Sequence, residues 1–283
     1  VRMYAKLEIA GYVTVSYSYT TGSPPAFGVN NANSTLVIDS GGTLEPVSSV
    51  ISSYYSFTNN GTLKLASYDF DDNSAFTNGS TGNVVSGSGT WYQSGNFTDN
   101  GTFNLTSGTF TVDTSGAVST TVTAKSDGST TFNNFTVATN ISSSYSNAVN
   151  LVNNFTVAHD LNFTSSSIGG GSNYGIVKCP ANNCVITAQK NVTVTNNGTS
   201  SNYNTTVGDT STNNLTIKMT GGTQASPMTL TLSQTGAGYS YANLYARMEF
   251  SGYTVVNRSV VGGYANFGTN NAISTLTVNN GGT

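Results

Sequence analysis

The sequence predicts an all-β protein, a parallel β-helix (solenoid) with coils of about 20 residues. Two repeats, one inside the other, carry this prediction. The short one is Gly42-Thr43-Leu44, Gly61-Thr62-Leu63, Gly82-Asn83-Val84 and Gly101-Thr102-Phe103, each opening a brief run with strand alternation. It continues in other words as Asn133-Asn134-Phe135-Thr136-Val137, Asn153-Asn154-Phe155-Thr156-Val157 and Asn213-Asn214-Leu215-Thr216-Ile217. In the long repeat, Tyr4-Ala5-Lys6-Leu7-Glu8-Ile9-Ala10-Gly11-Tyr12 returns as Tyr245-Ala246-Arg247-Met248-Glu249-Phe250-Ser251-Gly252-Tyr253, and Gly41-Gly42-Thr43 as Gly281-Gly282-Thr283. A third observation is the absence of any sustained 3.6-residue apolar period, which leaves no helix to predict.

Along the chain, residues 1–43 open a large repeat, 44–240 form the solenoid body, and 241–283 open the next large repeat, equivalent to 1–43. The alternation from Tyr4 to Tyr19 ends at Ser23-Pro24-Pro25, where proline stops a ladder. Small β-hairpin modules are therefore expected at the recurring ends. In the body, Phe135, Val137, Phe155, Val157, Leu215 and Ile217 should point inward, with glycines and Asn-Asn pairs supplying the left-handed backbone of the corners. At this step a large repeat holds about twelve coils. Tandem β-sandwich domains are the alternative, since they also alternate short strands and turns. The constant step of the first half favours the solenoid, although Gly169-Gly170-Gly171 and the cysteine loop interrupt it later.

Only 7% of the residues are charged, against about a quarter in ordinary soluble domains. With 16 Tyr and 13 Phe, the composition is that of a folded chain whose solubility rests on Ser, Thr, Asn and Gly. The net charge of −3 is spread without basic runs, so nucleic acid is not expected as a partner, and no apolar stretch in this segment is long enough for a membrane span.

Cys179 and Cys184 flank Pro180-Ala181-Asn182-Asn183, a turn that a disulfide can bridge in an oxidising compartment; a pair of buried thiols is the alternative. Fifteen Asn-X-Ser/Thr sequons are present: Asn33, Asn60, Asn78, Asn96, Asn100, Asn104, Asn134, Asn140, Asn154, Asn162, Asn191, Asn197, Asn204, Asn214 and Asn257. The composition alone produces many of these, but strand alternation adds weight. Asn134 and Thr136 fall opposite Phe135 and Val137, and the same holds at Asn154, Asn162, Asn191 and Asn214. N-linked glycans there would keep a low-charge surface from associating.

Asp69, Asp71 and Asp72 form the one acidic cluster, a calcium candidate lacking the glycine and distal glutamate of an EF-hand loop, and otherwise a solvated turn. Trp91 and Tyr92, with Tyr54, Tyr55 and Tyr68, suit either an aromatic platform for sugar rings or stacked core and surface ladders. His159-Asp160 has no nucleophile motif to serve and reads as an exposed turn. Neither grouped catalytic residues nor a phosphate or dinucleotide motif occurs, so neither an enzyme nor a cofactor is expected.

The phrases Phe132-Asn133-Asn134-Phe135-Thr136-Val137, Asn213-Asn214-Leu215-Thr216-Ile217 and Ser274-Thr275-Leu276-Thr277-Val278-Asn279-Asn280-Gly281-Gly282-Thr283 resemble coils of the adhesin-like and S-layer-like β-helix surface proteins of archaea and bacteria. The resemblance is one of repeat style and implies an extracellular or cell-surface protein. The expected function is a structural repeat of a glycosylated filament, sheath or surface layer, whose partners are copies of itself. An adhesin that binds glycans or a surface through an exposed β-helix face is the alternative.

Overall fold

Short runs of alternating residues, each closed by Gly, Asn or Ser, suit strands of three to seven residues that turn a corner and begin again. The computed structural model describes residues 5–16, 26–27, 33–52, 54–115, 119–141, 146–167, 173–180, 183–198, 203–208, 214–235, 240–261, 264–268, 275–279 and 281–283. Among them there is no helix, and 32 strands fall into three parallel sheets of 11, 11 and 10. Sheet neighbours are three apart in strand order, so one coil takes three strands, one per sheet. This is the predicted parallel β-helix, and the antiparallel sandwich alternative falls. The chain divides into two compact units, residues 1–111 with 123–133 and residues 112–122 with 134–283. That division lies inside the predicted 44–240 body.

In the first unit the twenty-residue step is real. Leu36, Phe57, Phe76 and Phe97 lie in register, as do Leu44, Leu63, Val84 and Phe103. By residue number, the steps are 19 or 21. These columns, with Phe70, Trp91, Phe110 and Phe132, fill an aromatic interior in which Trp91 stands edge-on to Phe76 at 4.7 Å and to Phe70 at 5.3 Å. The glycines at the corners are required for a different reason from the one expected. Gly42, Gly61, Gly82 and Gly101 are crowded by the coil before. A Cβ on Gly61 would lie 2.3 Å from the carbonyl oxygens of both Asp39 and Gly42, and one on Gly101 would lie 2.3 Å from that of Gly82. Close coil-to-coil approach, not a left-handed backbone, excludes a side chain there.

In the second unit the step lengthens. Phe155, Ile186, Ile217 and Met248 form one column, each 31 residues after the last. Phe135, Leu161, Val192 and Leu230 form another, at steps of 26, 31 and 38. The recurrence of Asn-Asn-Phe at 133 and 153 therefore joins two faces of one coil: the strands Asn134–Ile141 and Phe155–Val157 belong to different sheets. The sixty residues to Ile217 are two coils. This corrects the estimate of about twelve coils: the strands from Leu7–Ile9 to Tyr241–Leu244 make nine coils and one strand. Longer strands, such as Leu161–Ser167 and Met228–Gln234, give wider faces, and the six residues expected inward are all buried. Asn153, at φ 68°, is the one described non-glycine with a left-handed backbone.

The recurring ends are coils, not hairpins. Leu7–Ile9 pairs in parallel with Thr35–Ile38, and Tyr12–Val15 with Thr43–Pro46. Two strands separated only by Ala10-Gly11 sit on different sheets and cannot pair with each other. The stop at Ser23-Pro24-Pro25 lies outside the described residues. The copy in the second unit repeats the step in detail. Gly41 and Gly281 have φ of 88° and 84°. Asp39 N donates to Ile9 O at 2.9 Å, and Asn279 N to Phe250 O at 2.8 Å. Gly42 N donates to Asp39 O and Gly282 N to Asn279 O, both at 2.8 Å.

Candidate functional site

Alternation decides which polar side chains of these strands can meet a ligand. In the first unit one polar column runs inward. Asn59, Asn78 and Asp99 are in register below Ile38, two residues after Phe57, Phe76 and Phe97, and are almost fully buried. Asn59 Nδ2 donates to Asn78 Oδ1 at 2.8 Å, and Asn78 Nδ2 to Asp99 Oδ1 at 2.9 Å. Gly101 N and the Thr130 hydroxyl donate to Asp99 at 3.0 and 2.6 Å. The carboxylate is thus held by three donors, which is how a buried charge is tolerated. The column was legible as Phe57-Thr58-Asn59, Phe76-Thr77-Asn78 and Phe97-Thr98-Asp99, but the sequon reading of Asn78 concealed it.

Asn78 consequently leaves the set of glycan acceptors, because the nitrogen that would carry the sugar is buried and donates to Asp99 and to Thr102 O. Of the other sequons, Asn33, Asn96, Asn100, Asn104, Asn154, Asn197 and Asn257 are exposed, while Asn60, Asn134, Asn162, Asn191, Asn204 and Asn214 are half-buried. The side chain of Asn140 lies outside the described part. Asn154 Oδ1 accepts from Val185 N at 2.8 Å. Asn191 Nδ2 donates to Asp160 Oδ1 at 2.9 Å, so this acceptor is engaged in its coil.

That bond belongs to an outward polar row in the second unit. Asn134 Oδ1 accepts from Asp160 N, Asp160 Oδ1 from Asn191 Nδ2, and Asn191 Oδ1 from Thr229 N, at 3.2, 2.9 and 3.2 Å. With Asn162, Thr193 and Thr231 these residues edge a shallow trough of about 350 Å³ that contains a single carboxylate. His159 is exposed at the same corner, its Nδ1 3.2 Å from Lys190 Nζ, and Asp160 is turned to Asn191 rather than to the imidazole.

The acidic cluster of the first unit is dispersed by the strand that carries it. In Phe70–Asp72, Asp72 is buried and accepts from Ser74 Oγ at 2.7 Å, whereas Asp71 is on the opposite, outward face. Asp69 is exposed and accepts from Thr90 N at 2.9 Å. Among the described residues no three His, Cys, Asp or Glu side chains are grouped to hold a metal. The aromatic platform divides in the same way: Trp91 and Tyr54 are core, while Tyr92, Tyr55 and Tyr68 are exposed. Trp91 Nε1 finds its acceptor inside, in Gln93 Oε1 at 3.1 Å.

Two further features mark the surface of the first unit. The Tyr12 hydroxyl donates to the Glu45 carboxylate, and Lys64 Nζ lies 3.4 Å from that carboxylate and over the Tyr12 ring. The shared bond raises the phenol pKa and lowers that of Glu45. Asp127 is held below the usual carboxylate range by Ser129, whose hydroxyl and N–H donate to it.

Cys179 and Cys184 form a disulfide with Cα atoms 6.0 Å apart. It closes the corner before the strand Cys184–Ala188, and both sulfurs are in the core. For so short a loop, chain entropy gives about 2 kcal/mol. Reduction of the protein should lower the stability of the second unit by that amount, seen as a fall in the calorimetric melting temperature with reductant. An unchanged transition would mean that the bridge contributes nothing to stability. Comparison with protein-family models, curated proteins and solved structures finds no match for this chain.

Proposed function

We propose that this chain is a structural repeat of an extracellular or cell-surface filament, sheath or surface layer, coated by N-linked glycans and assembled from copies of itself. The observation that carries the reading is the recurrence of one corner: residues 7–43 and 248–283 make the same coil-on-coil step with the same backbone hydrogen bonds. A sequence repeated together with its stacking geometry is a unit of construction. The disulfide supports an oxidising compartment, and the seven exposed sequons offer polar mass to a surface with 7% charge. Load would be borne by parallel backbone ladders and by columns of stacked side chains, as in other solenoids.

The intact mass of the native material before and after deglycosylation, with micrographs of the same preparation, tests this. Glycan mass and extended assemblies are expected. An unmodified, compact monomer isolated from the source would count decisively against it.

A further inference from the structure

The last described coil of the second unit carries residues of core type without a cover. Leu276 and Val278 are 55% and 56% exposed, and Val256, Tyr264 and Phe267 in the same coil are exposed or nearly so. Register places Leu276 and Val278 on the columns of Met248 and Phe250, and Val256 on that of Leu230, all three buried. Their counterparts in the first unit behave differently. Leu36 and Ile38, the residues that Leu276 and Val278 repeat, are 1% and 0% exposed, because Phe57 and Asn59 of the strand Ser56–Asn59 lie in register over them. The corners that follow the two strands are the same, so the difference is the next parallel strand. What fits over Leu276 and Val278 is therefore another coil of this kind of solenoid.

We propose that a second copy of this chain docks there, laying its strands Leu7–Ile9 and Tyr12–Val15 against the open edges of Leu276–Val278 and its neighbours. The proposal rests on the structural-repeat reading and specifies its contact. The first coil offers the complementary edge: among the described residues its strands pair only with the coil that follows, and Tyr12 and Val13 are exposed. Strands in a parallel ladder keep one direction, so the first edge of one copy matches the last edge of another. Like edges brought together would run antiparallel. A contact between unlike surfaces does not close on itself and propagates as a filament.

Two blocked chains test this. Leu276→Asp with Val278→Asp puts charge on the last edge. Thr14→Pro removes a donor from the first edge: Gly11 O and Val15 O accept from Thr43 N and Val47 N, so alternation turns the Thr14 N–H the other way. Sedimentation velocity of residues 1–283 should show concentration-dependent growth, and each blocked chain alone should stay a monomer. Mixed, the two should form a species of twice the monomer mass and stop there, which also reports that both are folded. If either blocked chain grows as the unmodified chain does, or the mixture stays monomeric, the end contact is wrong. Filaments from the source that persist beside such a result would leave the structural reading standing on lateral contacts instead.

Discussion

Trp91→Ala is expected to destabilise the first unit by about 3–5 kcal/mol, the range for truncating a large buried aromatic. The indole is 1% exposed and packs on Phe70, Phe76, Phe97, Phe103 and Phe110, so its loss opens a cavity where four aromatic columns meet. A further cost falls on Gln93, whose Oε1 loses its indole donor while Nε2 stays tied to Ser74 O at 2.7 Å. Against a total stability of about 5–15 kcal/mol for a domain, this is a large fraction. Tyr92→Ala, one residue on and facing outward, should change stability by no more than about 0.5 kcal/mol. Urea unfolding followed by circular dichroism compares the two, since fluorescence is lost with the only tryptophan. Equal midpoints would show that Trp91 is not the keystone of this interior.

Asp99→Ala should cost about 3–5 kcal/mol, the usual result of removing one member of a buried charged network. The substitution strands Asn78 Nδ2, the Gly101 N–H and the Thr130 hydroxyl in a space with no water to replace the carboxylate. Strain then passes up the column, since Asn59 depends on the orientation of the Asn78 amide. Asn100→Ala, the neighbouring exposed sequon residue, is the control and should lie within about 0.5 kcal/mol of the parent. The measurement is again equilibrium unfolding. A neutral Asp99→Ala would mean that the polar column is dispensable to the fold.

Much of this architecture can be read before any coordinates. The Gly-Thr-Leu phrases mark the coil step of the first unit because each glycine is needed once per coil, where backbone presses on backbone. Phe135, Val137, Phe155, Val157, Leu215 and Ile217 are recognisable as core because period two puts them on one face. The cysteine pair is recognisable from four turn-forming residues between its members. Other readings failed for a common reason. The sequon rule concerns three consecutive residues, and whether Asn78 faces water depends on Asn59 and Asp99, one coil away on either side. Asp71 and Asp72 look like a ligand pair until the strand separates them. The spacing of Asn134 and Asn154 equals the coil step of the first unit, yet here it measures the distance between two faces of one longer coil.

The sequence by itself determined the class of fold, the corner glycines, the disulfide and the existence of a large repeat, because each of these is written in residues that are neighbours or evenly spaced. Only the tertiary structure decided the number of residues per coil in the second unit, the inward column ending at Asp99 and the fate of each sequon. The reason is physical. Burial and hydrogen bonding in a solenoid are settled between coils, by register across 19 to 38 residues, and a one-residue change in register would turn every one of those side chains to the other face.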